Sequence, residues 1–585
     1  MSEKPVSTSP FSLNPFEAGQ QWFDMAAKAQ DVMAQYVSQS LGGKIGQPAP
    51  TAISGLFASM LSDPAKLGHA QFSFWEGHAA LWQKVLNAPF QPEPGSKDRR
   101  FKSADWQKNI ALNALMRGYL VGADWLRSLI ANQNQLSGSD KRDLAFLTEQ
   151  LIDATSPTNF AGTNPDVVRK TMETGGANLI QGFSNFLDDL ATNAGHVRRA
   201  APEAFELGVN IAATKGSVVL RTDMMELIQY EPATGKARDV PILLVPPWVN
   251  KYYLFDLQQK SSFIRWAVEQ GFTVFAISWV NPDGSHADKD FENYWTEGPM
   301  AAFDAIEKAT GQRHVNLFAY CLGGILVSAG LAALAERKDD RVTSATLVAT
   351  MTDFADLGDF EVFVKEQHVD AIGGHLKAKG YIDSADLSRL FSLLRANDLI
   401  WSSAISSYLL ADKAVASDLL YWFSDGIGMP AKMLETFLRQ ILLDNALSKP
   451  GKLKIGGTPL DLSKITTPLC FVSLKDDHVS KWQSTYKGAL RFTAPKRFIL
   501  GGSGHNAGMI NPPAAGKHGF WVNDAFPADA EAWLAGAERR EGSWWTEWSN
   551  WLKRHSGGEV AARPVAAGPL EVLEPAPGSY ARVRR

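Results

Sequence analysis

Two cysteines in 585 residues, Cys321 and Cys470, leave no disulfide framework and no thiolate-rich zinc site. So few cysteines fit a reducing compartment, the cytoplasm. Neither sign of charge dominates: 58 Lys and Arg against 62 Asp and Glu give a formal net charge of −4, which offers nucleic acid no electrostatic footing. Long apolar runs are missing. The longest, such as 325–335, fall short of the roughly 18 residues that cross a bilayer, so no membrane span is expected and the protein should be soluble. The opening MSEKPVSTSPFSLNPFEAGQ has no apolar core of the kind a signal peptide needs. HExxH, GxGxxG and Walker-type loops are absent too. Metal, dinucleotide and nucleoside-triphosphate chemistry therefore have no support, and neither a metal nor a cofactor is expected.

Tryptophan, by contrast, is plentiful, with 18 in the chain and several within 542–551. Such residues either bind apolar material or anchor a core, and the core reading is the stronger prior. At this length one hydrophobic core is too few, so two domains, or one large domain with additions, are expected.

Residues 1 to about 200 carry helical periodicity. Trp22, Met25, Ala29, Val32, Met33 and Tyr36 repeat at helical spacing, and 104–132 and 141–154 continue the pattern. After about 200 the texture changes. Strands are predicted over 216–221 and 226–230, then over 241–245, 273–278, 315–319 and 345–349, with intervals long enough for crossover helices. Short apolar runs separated by helices indicate a parallel α/β sheet. From about 352 to 460 the strands stop, and an aromatic-rich insertion of this size reads as a helical cap over a site. Strands resume at 469–473 and 497–500. The Pro-, Gly- and Ala-rich segment from 556 reads as a flexible tail, with Tyr580 a possible anchor.

The chemistry centres on AYCLGG, Ala319 to Gly324. It lies where a strand meets a helix, the position at which G-x-S-x-G turns present a nucleophile, with Cys321 in place of Ser. Asp476-Asp477-His478 follows the strand 469–473, and His505 follows the strand 497–500. Nucleophile, acid and His on successive strand ends is the chain order of α/β-hydrolases. His505 is positioned to take the thiol proton, and either Asp476 or Asp477 to hold its other nitrogen. His478 is a rival base. The oxyanion hole is expected to use the backbone N–H of Leu322 and one from the loop 246–256. Its prolines have no N–H, which leaves Trp248, Val249 or Asn250.

Several longer segments carry a resemblance. Asp98-Arg-Arg-Phe101, Ser156-Pro-Thr-Asn-Phe160, Pro246-Pro-Trp-Val-Asn-Lys-Tyr-Tyr253, Tyr320-Cys-Leu-Gly-Gly324, Leu394-Arg-Ala-Asn-Asp-Leu-Ile-Trp401 and Ser503-Gly-His-Asn-Ala-Gly-Met509 are similar to the class I polyhydroxyalkanoate synthases, across nearly the whole chain after about 95. The resemblance implies an α/β-hydrolase fold with a mobile, mostly helical cap, preceded by an all-helical N-terminal domain. It divides the chain into a variable helical segment (1–95), a helical domain (96–205), a catalytic domain (206–555, cap at about 352–460) and the tail (556–585). It implies a Cys321–His505–Asp477 triad, (R)-3-hydroxyacyl-CoA as substrate with CoA as leaving group, 3-hydroxybutyryl-CoA foremost, and a polyester product. It further implies a cytoplasmic enzyme on the surface of polyester granules, phasin-type partners and a homodimer. A Cys-dependent hydrolase of esters or lactones, and a non-catalytic granule-coat protein, are the competing readings. Two departures stand out: Ala319 where the family has Gly, and Ser402–Tyr408 in place of bulkier residues, which is expected to reshape the substrate tunnel.

Overall fold

The computed structural model describes Glu76, Ala79 and residues 98–584, less 134–135, 193–196, 199, 367–368, 371–375, 377–378 and 394–395. The segment 1–95 thus lies outside the described residues, apart from Glu76 and Ala79. The chain divides into two compact units, one of residues up to 198 with Ser392–Lys413, the other of Arg199–Phe391 with Ala414–Arg585.

The first unit is helical: α1 (Asp105–Lys108), α2 (Ile110–Ala131), α3 (Gly138–Ala154), α4 (Pro165–Thr174) and α5 (Ala177–Thr192). Its boundaries follow local chemistry. The Ser137 hydroxyl accepts from the Asp140 amide, and Asn164 accepts from Asp166 and Val167, with Pro165 at the first helical position where a missing N–H costs nothing. The cap insertion expected over about 352–460 is mostly helical, but it is divided: Ser392–Lys413 packs within the first unit. The reason lies on α5. Gly182 has no Cβ, which would sit 1.8 Å from the Tyr408 carbonyl, and Asn178 and Asn185 donate to the carbonyls of Leu409 and Ser407. The stretch expected to reshape a substrate tunnel is thus the one that docks on α5.

The second unit is built on an eleven-stranded sheet. Its strands, in chain order, are β1 (Gly216–Arg221), β2 (Met225–Tyr230), β3 (Ile242–Val245), β4 (Val274–Trp279), β5 (Val315–Tyr320), β6 (Val342–Val348), β7 (Leu469–Leu474), β8 (Lys496–Gly501), β9 (Phe520–Val522), β10 (Glu538–Arg540) and β11 (Glu574–Pro575). The spatial order is β10-β9-β8-β7-β6-β5-β3-β4-β2-β1-β11. The six strands from β8 across to β4 run parallel, and the flanking pairs are antiparallel. β3, β4, β5 and β7 are buried at every position, as a sheet covered on both faces requires. Helix α6 (Leu322–Arg337) is apolar all round and almost wholly buried, while α7 (Trp544–Lys553) places Trp544, Trp545 and Trp548 against Phe263 and Phe318. The tryptophans of 542–551 are core anchors.

The segment expected to be a flexible tail is ordered instead. Glu559–Ala561 pairs with Lys236–Arg238, and β11 covers the edge of β1. Glu226 is fully buried and satisfied by Arg221 and the Tyr580 amide, so the end of the chain fills a polar demand of the core. Gly578, at φ +81° with a Cβ position 2.2 Å from Glu226 Oε2, shows why glycine is needed there.

Candidate active site

Cys321 stands between β5 and α6 with φ +53° and ψ −119°, a strained conformation for a residue with a side chain. Crowding forces this sharp turn. A Cβ on Gly323 would lie 2.3 Å from the Val245 carbonyl oxygen, and one on Gly324 would lie 1.9 Å from Thr350 Oγ1. Both positions admit only glycine if β3 and the end of β6 are to pass so close. Ala319 is different. It is a buried strand residue paired with Val245 and Leu347, and it is not among the residues with positive φ, so its methyl needs no special backbone. The Cys321 amide donates to the Val348 carbonyl, while the Leu322 amide opens α6, where first-turn N–H groups have no intrahelical acceptor.

β7 and β8 deliver the partners. Asp477 follows β7 and is buried; its Oδ1 accepts from the amides of Val479 and Ser480, both at 2.8 Å. Its Oδ2 accepts from His505 Nδ1 at 2.7 Å. Asp476 and His478, on either side, are exposed. Burial and hydrogen bonding thus distinguish the two aspartates that the motif left equivalent. Burial of His505 works against its charged form, but the Asp477 carboxylate and the Cys321 sulfur, each acting through charge and a hydrogen bond, raise its pKa to about 10. The imidazole is therefore a strong base facing the sulfur. Cys470, inside β7, is fully buried, and burial pushes its thiol up and out of nucleophilic use.

Two supports were not singled out by sequence reasoning. The Tyr320 ring lies 5.1 Å from the His505 ring, and its hydroxyl donates to Asn506 Oδ1 at 2.7 Å. Trp544 and Trp545 donate their indole N–H groups to the carbonyls of Gly508 and Met509, the end of the short helix His505–Met509. The adjacent Trp pair after the His segment was the available signal. Val249 and Asn250 lie in the loop after β3; the Val249 carbonyl accepts from Ile427, and Asn250 forms an antiparallel bridge with Gly426. Among the described residues no cluster of metal-ligating side chains forms, and no helix is long and apolar enough to cross a membrane.

A protein of this arrangement has known counterparts. Residues 97–267 match the N-terminal region of poly-beta-hydroxybutyrate polymerase (PhaC), and residues 241–512 match the alpha/beta hydrolase fold. The chain is 39% identical over 532 residues to a poly(3-hydroxyalkanoate) polymerase subunit PhaC of Rhizobium meliloti, covering 90% of this chain and 87% of that protein. It is 39% identical to the poly(3-hydroxyalkanoate) polymerase of Methylorubrum extorquens, covering 90% and 88%. With the PhaC subunit of Cupriavidus necator the identity is 38%, over 92% of each chain.

Proposed function

The chain belongs to the poly(3-hydroxyalkanoate) polymerases, and on that premise we propose that it lengthens a polyester from (R)-3-hydroxyacyl-CoA through acyl thioesters held on Cys321. The observation that carries the reading is the strained Cys321 elbow facing a His505 imidazole whose far nitrogen is held by buried Asp477.

His505 carries the proton as the Cys321 sulfur attacks the substrate's thioester carbonyl. The bond to the CoA sulfur breaks, and the departing CoA receives a proton from His505. In elongation, the 3-hydroxyl of one acyl unit attacks a second acyl thioester. Its proton passes to His505 with Asp477 behind it, an ester bond forms, and a thiol is released. Exchange between thioesters is close to thermoneutral, which suits sulfur rather than an alcohol as the carrier. The Leu322 amide and one of Val249 or Asn250 would hold the oxyanion. Water has to be kept out, or the acyl-enzyme hydrolyses.

No cofactor is required, because CoA enters with the substrate and leaves. A short-chain unit, 3-hydroxybutyryl-CoA, is the proposed substrate. The growing apolar product makes the granule surface in the cytoplasm the working place, with phasin-type proteins and a second copy of the chain as partners. CoA release measured across (R)-3-hydroxyacyl-CoAs of increasing length, with product analysis, tests the reading. Insoluble polymer with CoA release supports it; free 3-hydroxy acid as sole product sinks it and favours a Cys-dependent hydrolase.

A further inference from the structure

Lys251 is a cation in an unusual place. It sits in the loop after β3, two residues beyond Val249, and is 1% exposed. An ammonium group removed from water needs strong partners. Here they come from the end of the chain: Lys251 Nζ donates to the carbonyls of Tyr580, at 3.0 Å, and Val583, at 2.7 Å. Asn281, also buried, donates to the same Val583 carbonyl and accepts from the Gly428 amide.

The loop is tied at further points. Trp422 Nε1 donates to the Lys251 carbonyl at 2.7 Å, Ile427 donates to the Val249 carbonyl at 2.9 Å, and Tyr253 donates to Asp425 Oδ2 at 2.6 Å. Burial raises the pKa of Asp425, and the charge of Lys251, the Tyr253 hydroxyl and Arg584 oppose that rise. Arg584 also donates to the Tyr421 hydroxyl. Three distant stretches therefore meet around one buried cation: the loop 246–253, the segment 421–428 and the last residues of the chain.

These ties bear on catalysis because peptide groups are planar. A carbonyl fixed in one direction fixes the N–H of the same peptide in the other. Holding the Val249 carbonyl therefore aims the Asn250 amide, and holding the Lys251 carbonyl aims that of Tyr252. Oxyanion stabilisation depends on donors oriented before the charge develops. We infer that Lys251 is a positioning residue: its ammonium binds the C-terminal carbonyls of Tyr580 and Val583, and thereby locks the loop that presents the second oxyanion amide to the Cys321 site. This rests on the function proposed above.

Three variants test it: Lys251→Met, Lys251→Arg, and a chain ending at Arg582, which keeps the lysine and the Tyr580 amide on Glu226 and removes the Val583 carbonyl, the nearer of the two. In Lys251→Met, kcat for CoA release from (R)-3-hydroxybutyryl-CoA is expected to fall roughly 10- to 100-fold, with KM within about threefold. Alkylation of Cys321 by iodoacetamide, which needs no oxyanion hole, should stay within about twofold. Backbone amides over 248–253 should exchange with deuterium about tenfold faster or more. Lys251→Arg, able to reach the same two carbonyls, should recover most of the rate. The shortened chain should lose kcat in the same direction with faster exchange over the loop, and it decides the matter if Lys251→Met fails to fold. Unchanged loop exchange, or faster exchange with unchanged kcat, overturns the inference. A wild-type chain that releases no CoA would instead sink the proposed function, while the exchange comparison still decides whether Lys251 holds the loop.

Discussion

The His505 ring and the Asp477 carboxylate meet at 2.7 Å, Nδ1 to Oδ2, and the other carboxylate oxygen is fully engaged by two backbone amides. The carboxylate therefore cannot turn away, and it presents one fixed oxygen to the imidazole. Asp477→Asn keeps the shape and loses the charge and the tautomer control. CoA release is expected to fall roughly 10²- to 10⁴-fold. Asp476→Asn, on an exposed side chain, should stay within about twofold. Equal losses in the two variants would dissolve the distinction between the aspartates.

The same pair makes stability depend on pH. His505 has a folded pKa of about 10 against an ordinary 6.5, so between these values the folded protein holds a proton that the unfolded chain has released. The stabilisation is complete below pH 6.5 and is lost as pH rises through about 10. The unfolding midpoint of the wild type should decline across that window, and Asp477→Asn should flatten the decline. A variant that falls as steeply as the wild type would mean that another group holds the proton.

The turn at Cys321 gives a steric forecast. Gly323→Ala would drive a methyl into the Val245 carbonyl, and Gly324→Ala would drive one into Thr350. Both sites are backed by the sheet, so the elbow itself must move, and a displacement near 1 Å costs about 100-fold in rate. Ala319→Gly removes a methyl from an ordinary strand position. It should cost stability of about 1 kcal/mol while leaving CoA release within about threefold. A large gain in rate from Ala319→Gly would show that the methyl does constrain the elbow.

Much of this site was legible because strand ends are legible. Apolar runs with β-branched residues marked β5, β7 and β8, and Cys321, Asp477 and His505 each follow one of them within a few residues. Strand order left Asp476 and Asp477 equivalent, and only the resemblance pointed to Asp477, because burial is a property of the loop's path, not of its composition. The C-terminal segment misled for a related reason: Pro, Gly and Ala resemble a linker, yet Gly578 leaves room for Glu226 and the Tyr580 amide satisfies it, a partner more than 350 positions away in sequence. Ser392–Lys413 misled differently, since its docking on α5 depends on the missing Cβ of Gly182. Lys251 lies in a segment that carries the resemblance, but its partners gave no signal, because backbone carbonyls leave no mark in a sequence.

The tryptophans of α7 supply the last test. The indole N–H groups of Trp544 and Trp545 are buried and donate at 2.9 and 3.0 Å to the carbonyls that end the His505 helix. Phe in either place preserves most of the apolar packing but strands a buried carbonyl, at about 1–3 kcal/mol each. Because the carbonyls belong to the segment that carries His505, loss of both should also loosen the imidazole behind Cys321. The double variant Trp544→Phe/Trp545→Phe is therefore expected to unfold at lower urea and, while still folded, to react more slowly with iodoacetamide. If alkylation keeps its wild-type rate despite the lost stability, the two indoles serve the core alone and His505 takes its position from Asp477 and Tyr320.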